Sequence, residues 1–278
     1  MTQEDVTKQS DPASSGMSTR AARPVRRKIR LIGKIDVKGT NVIKGIHMEG
    51  LRVVGKPQEM CRRYANDGID ELIFIDLVAS LYERSYFLDL INEVSQEIFV
   101  PLVVGGGVRS IDDFRTLLRA GADKVAINTQ AIKTPGFLHD AALVFGSQCV
   151  VLSIAAKRQR DGRWEAWCEH ARQPTGLDVI EWAKKAVDLG AGEILVTSID
   201  MDGIMRGMDI ELFRTLSESV SVPVIAASGV GTVNHIVECV RQTQVSAIAL
   251  GSILHFNHET VQGIKSGLIE QGVGVRHE

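Results

Sequence analysis

The sequence predicts a closed (β/α)8 barrel, and three observations predict it. Short β-rich runs alternate eight times with amphipathic stretches from residue 30 onward. Four runs in the first half have look-alikes in the second half, in the same order. No GxGxxG turn follows the first run, as it usually would in a doubly wound open sheet, the competing fold. Eight βα units in about 250 residues is the ordinary size of such a barrel.

The strand runs are 30–36, 72–77, 101–104, 124–128, 149–155, 194–199, 223–227 and 246–250. They are too apolar and too short for half-exposed antiparallel strands, so they read as buried parallel ones. Between them the apolar spacing predicts helices near 57–67, 85–98, 110–120, 134–145, 177–189, 209–220, 232–242 and 258–271. Gly68, Gly121, Gly146 and Gly190 follow four of these as helix stops. Arg158–Arg172 stands outside this rhythm, and Asp161-Gly162 within it predicts a hairpin protruding from one face.

The halves repeat strand by strand. Ile35-Asp36-Val37-Lys38 matches Ile154-Ala155-Ala156-Lys157, and Asp70–Asp76 matches Gly192–Asp200. Pro101–Val108 matches Pro223–Val230, and Val125–Thr129 matches Ala247–Ser252. Two fused half-barrels account for four matches in order. The first match is unequal, with a carboxylate at Asp36 and a methyl group at Ala155. A carboxylate moves protons or holds cations and a methyl group does neither, so half of a two-carboxylate site is present.

The chain has 278 residues, 44% hydrophobic and 24% charged, enough for one large core. Residues 30–278 are read as one barrel domain. Residues 1–29 hold Ser, Thr, Pro and Ala with the basic cluster Arg23, Arg26, Arg27 and Lys28, and read as a disordered basic tail without the h-region of a signal peptide. A net charge of -2 gives no general field favouring nucleic acid or membrane. No apolar run approaches the roughly 18 residues of a membrane span. Cys61, Cys149, Cys168 and Cys239 are scattered without a CxxC pair, which fits a reducing cytoplasm rather than zinc or disulfides. The seven histidines show no HxH or HxxxH spacing, and His47 and His255 have no evident partner, so neither metal nor cofactor is expected.

In such a barrel the strand C-termini and the loops after them form the active face. Gly105-Gly106-Gly107 and Asn128-Thr129 offer bare backbone N–H groups, an amide and a hydroxyl, a set that suits a phosphate. The repeat supplies a second set: Ser228-Gly229 with Gly231, Ser252 and nearby Gly203. Two sets on opposite sides of one mouth imply a ligand with a phosphate at each end; taken singly, these glycines also suit tight βα turns. Asp36, Asp76, Asp200 and Asp202 end strand runs and are general acid or base candidates; Asp76 and Asp200 equally suit turns or caps. Lys38 and Lys44 follow the first run in a Gly-containing loop, placed to meet a phosphate or to stay solvated. Arg30, Glu71, Lys124 and Glu193 each start a strand run, so two cations and two anions ring the axis at the base, at the least as a salt-bridged plug.

The stretches DVKGTNVIKG (36–45), GIDELIFID (68–76), VGGGV (104–108), GADKVAINT (121–129), FGSQCVV (145–151), GAGEILVTSID (190–200) and SILHF (252–256) together resemble the cyclase subunit of imidazole glycerol phosphate synthase, over about residues 30–275. The resemblance implies a lyase-type barrel of histidine biosynthesis in the cytoplasm. A glutaminase subunit docks at its base as a heterodimer, and ammonia passes along the axis to the mouth. There it reacts with a bisphosphorylated ribotide to form imidazole glycerol phosphate and aminoimidazole carboxamide ribotide. It assigns the catalytic aspartate to Asp36 and the loop lysine to Lys44. One phosphate site falls on Gly106, Gly107, Asn128 and Thr129, the other on Gly203, Gly229 and Ser252, and the ammonia gate on Arg30, Glu71, Lys124 and Glu193. The departures are Ala155 at the second catalytic aspartate, AASGVG where the family has ASGGAG, Lys34 two before Asp36, and the tail. They leave room for a second reading: a non-cyclising paralogue that channels ammonia to a third enzyme, for example in surface-sugar amidation.

Overall fold

The computed structural model describes residues 28–77 and 84–276. The first half runs β1 (Arg30–Lys38), β2 (Asn41–Ile46), β3 (Glu49–Gly55), α1 (Pro57–Asn66), β4 (Glu71–Asp76), α2 (Arg84–Glu97), β5 (Leu102–Gly105), α3 (Ile111–Arg119), β6 (Lys124–Ile127), α4 (Thr129–Lys133) and α5 (Gly136–Phe145). The second runs β7 (Val150–Arg158), β8 (Trp164–Cys168), β9 (Gln173–Asp178), α6 (Val179–Asp188), β10 (Glu193–Ser198), α7 (Ile210–Ser219), β11 (Val224–Ala227), α8 (Val233–Gln242), β12 (Ala247–Leu250), α9 (Ser252–His255) and α10 (Val261–Glu270).

Eight of the strands close a parallel ring in the order β1-β4-β5-β6-β7-β10-β11-β12, sealed by β12 against β1. This is the predicted (β/α)8 barrel. Helix starts follow sequence chemistry. Pro57 opens α1, Ser110 and Asp113 form a capping box on α3, and Asp178, Asp209 and Thr260 cap α6, α7 and α10. Gly68, Gly121, Gly146 and Gly190 all take positive φ just beyond their helices, where a β-carbon would be strained.

Period-two alternation sorts the strand residues into two cores. On β1, Leu31, Ile35 and Val37 join the large core under the helices, whereas Ile32 joins the inner stack. That stack holds Ile73, Val103, Ala126, Val151, Leu195, Ile225 and Ala247 as well, so the barrel axis is lined by apolar groups.

Four strands and two short helices differ from the sequence expectation. β2 and β3 pair antiparallel after β1, and β8 and β9 pair antiparallel after β7. The hairpin turn at Asp161-Gly162 lies where expected, with Gly162 at φ 86°. The segment is not an addition to one half, however, because β2 and β3 are its counterpart. β3 and β9 are mostly exposed, with every residue from Glu49 to Val53 at the surface, so no burial pattern marks them; β2 and β8 are partly buried but span only six and five residues. α4 and α9 span only five and four residues. Ile29, counted with the tail in the sequence, is fully buried and bridges Val275. Residues 1–27 lie outside the described residues.

Candidate active site

The inward face of β1 is a ladder. Arg30, Ile32, Lys34 and Asp36 follow one another up the inside of the barrel, because alternate residues of a strand share a face. The bottom rung belongs to the base and the top two to the mouth.

At the base the four predicted charges form a closed ring. Arg30 donates to Glu71 at 2.5 Å and to Glu193, and Lys124 donates to Glu71 at 3.0 Å and to Glu193 at 2.7 Å. Both carboxylates are almost fully buried. Burial works against the Arg30 guanidinium, but Glu193 and Glu71 outweigh it and raise its pKa above the ordinary value. Directly above lies the apolar inner stack.

At the mouth a cavity of about 530 Å³ holds the first predicted cradle. Gly106, Gly107, Asn128 and Thr129 line it, together with Ala155 on the neighbouring strand β7. Gly106 and Gly107 have φ of 106° and 63°. A β-carbon on Gly106 would lie 2.3 Å from the Asp76 carbonyl oxygen, so only glycine lets this turn close over β4. Asn128 Nδ2 donates to the Trp167 carbonyl at 3.2 Å, and Thr129 Oγ1 accepts from the Glu169 amide at 3.1 Å. The β8–β9 excursion thereby walls this side.

The second cradle repeats the first. Gly203, Gly229 and Ser252 line a neighbouring cavity with Lys44, Asp202, Ser228 and His255. Ser252 Oγ is buried without a hydrogen-bond partner, a donor left open toward a ligand. A β-carbon on Gly203 would lie 2.2 Å from the Gly45 carbonyl oxygen, so β2 packs on this loop. Ser228 occupies the place of Gly106 and carries φ 94°, a conformation a side chain pays for with about 1–2 kcal/mol. Its hydroxyl donates to Asp202 Oδ1 at 3.2 Å. Ser228→Ala keeps the strain and loses the bond, so it is expected to destabilise by about 1–2 kcal/mol. Ser228→Gly relieves the strain as it loses the bond, and is expected within about 1 kcal/mol of the unaltered chain. Urea unfolding midpoints check both; a glycine variant less stable than the alanine one contradicts the strain argument.

Between the cradles sit Lys34 and Asp36. The Lys34 ammonium contacts Asp36 Oδ1 at 2.5 Å and Oδ2 at 2.7 Å. Burial pushes the Asp36 carboxyl up, but the Lys34 and Lys44 charges and the Lys34 hydrogen bond outweigh it and hold its pKa below the ordinary value. Asp36 is therefore ionised at neutral pH and suited to accept a proton.

Several candidates are placed differently from the sequence expectation. Lys44 is on β2 rather than in a loop, and its ammonium is clasped by both oxygens of buried Asp202 at 2.6 and 2.7 Å. Asp200 accepts from the Arg158 amide at 2.8 Å and pairs with Lys157 at 3.2 Å, tying β10 to β7 outside both cavities. Asp76 is buried at the end of β4 beneath Gly106. His255 has a partner after all: its Nδ1 lies 2.7 Å from the Tyr64 hydroxyl. Burial, helped by Lys44, Lys34 and Arg63 and opposed by Asp36, lowers its pKa to about 4, so it is neutral. His170, which the sequence did not single out, lines the first cavity, and burial lowers its pKa too.

Fold and mouth together define a (β/α)8 barrel enzyme assembled from two half-barrels, with its chemistry at the strand C-termini. The family model described as "Histidine biosynthesis protein" matches residues 30–260, and the chain belongs to that family. It is 53% identical over 203 residues to imidazole glycerol phosphate synthase subunit HisF of Legionella pneumophila, a match covering 73% of this chain and 96% of the relative. Among the described residues, no helix is long and apolar enough to cross a membrane.

Proposed function

We propose that this chain is the ammonia-using cyclase subunit of an imidazole glycerol phosphate synthase. It forms imidazole glycerol phosphate and aminoimidazole carboxamide ribotide from a bisphosphorylated ribotide. The ammonia comes from a glutaminase subunit docked at the barrel base. The observation that carries this reading is the mouth: two cradles face each other across ionised Asp36. Below the mouth, an apolar axis leads down to a charged ring that suits an ammonia gate. Bare amides and open hydroxyls at two separated places fit a ligand with a phosphate at each end. The likeness to the HisF subunit supports the same reaction.

Ala155 favours a second reading. Loss of one general acid or base typically costs about 100- to 10,000-fold in rate. A barrel that keeps its cradles and ring but not that carboxylate suits conduction of ammonia to a third enzyme. The two readings separate when the bisphosphorylated ribotide is supplied with excess ammonium salt and loss of its chromophore is followed. Turnover by the unaltered chain supports the cyclase. Turnover only in Ala155→Asp supports the conducting paralogue. Lys124→Met is expected to depress the glutamine-dependent reaction of the complex more than the ammonium-dependent one; equal rates in both assays contradict the gate.

A further inference from the structure

We propose that Lys34 is the proton donor of the mouth and supplies the acid that Ala155 lacks, an inference that rests on the cyclase reading above. Lys34 and Asp36 are the two residues that line both cavities. A ligand with one phosphate in each cradle therefore passes its middle, reacting part over this pair. Ala155, on the far wall, borders the first cavity only.

Two carboxylates in one mouth divide the work: one stays ionised and accepts a proton while the other, protonated, donates. Asp36 is held ionised, so it is the acceptor, and the donor must be another group. Lys44, Asp202, His170, Arg172 and His255 stand around the pair, and Lys38, Arg109 and Lys133 border the first cavity as well, Lys133 paired with Glu169 at 2.7 Å. Lys44 is clasped by Asp202, which is itself an acceptor. His170 and His255 are held toward their neutral forms, and a guanidinium such as Arg172 does not release its proton. Lys34 alone is a charged donor in contact with Asp36, with its side chain 12% exposed to the cavities. Alternation on β1 places it directly above Ile32, where ammonia leaving the apolar axis reaches the mouth.

The step balances without any oxidant or reductant. Ammonia attacks a carbonyl carbon of the ligand, forming a C–N bond and breaking the C=O π bond. Lys34 Nζ gives a proton to the oxygen, and Asp36 takes one from the nitrogen. The proton on Asp36 then crosses the 2.7 Å contact back to Lys34 and restores both groups. A second passage of the same kind expels the oxygen as water and leaves a C=N bond.

The test compares the unaltered chain, Lys34→Met, Lys34→Arg, Ala155→Asp and Lys34→Met with Ala155→Asp, using the bisphosphorylated ribotide and ammonium salt. Calorimetric binding of inorganic phosphate reports whether each variant keeps its fold and cradles. The unaltered chain is expected to turn over. Both single Lys34 variants are expected to lose about 100- to 10,000-fold in kcat with phosphate affinity unchanged, and Ala155→Asp to restore at least about tenfold to Lys34→Met. Arginine keeps the charge but not the transferable proton, so a Lys34→Arg chain as fast as the unaltered one overturns the proposal. So does a Lys34→Met chain as fast or faster, in which case the cyclase reading stands. Loss that Ala155→Asp does not restore overturns it by giving Lys34 a structural place. No turnover in the unaltered chain, with turnover in Ala155→Asp, overturns it and favours the conducting paralogue. No turnover in any of them overturns the proposal and the cyclase reading together.

Discussion

Glu193→Ala is expected to lower stability by about 3–5 kcal/mol. Glu193 takes one hydrogen bond from Arg30 and one from Lys124, and only about 6% of its side chain is exposed. Removing it leaves two half-buried cations facing Glu71 alone, and the stranded charge rather than the lost attraction sets the cost. An exposed pair such as Arg62 with Glu97 carries no such penalty, because water replaces the partner. The check is a pair of urea unfolding curves with Glu193→Ala and Glu97→Ala side by side. A midpoint for Glu193→Ala as high as that for Glu97→Ala contradicts the ring as a coupled, desolvated unit.

Asp36→Asn is expected to lower ammonium-dependent turnover by about 100- to 10,000-fold while inorganic phosphate still binds. The amide keeps the shape but accepts no proton, and it releases Lys34 from its closest partner. The cradles are built from other strands and loops, so binding and turnover part company. Kinetics with the bisphosphorylated ribotide, with phosphate calorimetry alongside, separate the two. Weakened phosphate binding at unchanged kcat contradicts the assignment, because it makes Asp36 a support for the cradles rather than a proton acceptor.

Some of the candidate site was legible in the residues and some was not. The base ring was legible because Arg30, Glu71, Lys124 and Glu193 each begin a strand, and strand starts in a closed parallel barrel meet at one end. The cradles were legible as glycine and hydroxyl sets repeated half a chain apart. The contact between Lys34 and Asp36 was within reach too, since residues two apart on a strand share a face. The positive φ of Ser228 follows from its match to Gly106. Nothing in spacing links Lys44 to Asp202, 158 residues away, or His255 to Tyr64, 191 residues away. β3 carries no burial pattern from which to be read, because its exposed residues pack against no core.

Local chemistry therefore settled the order of elements, the two-half repeat and which residues face inward, since periodicity, caps and glycine conformations act within a few residues. Closure of the barrel settled the rest. It joined the four base charges into a ring, turned Lys44 away from solvent onto Asp202, and set Lys34 and Asp36 between two cavities. The contacts of Glu193 with Arg30 and Lys124, and of Asp202 with Lys44, join opposite halves of the chain, and the strength of all these pairs depends on a desolvation that exists only once the strands have met.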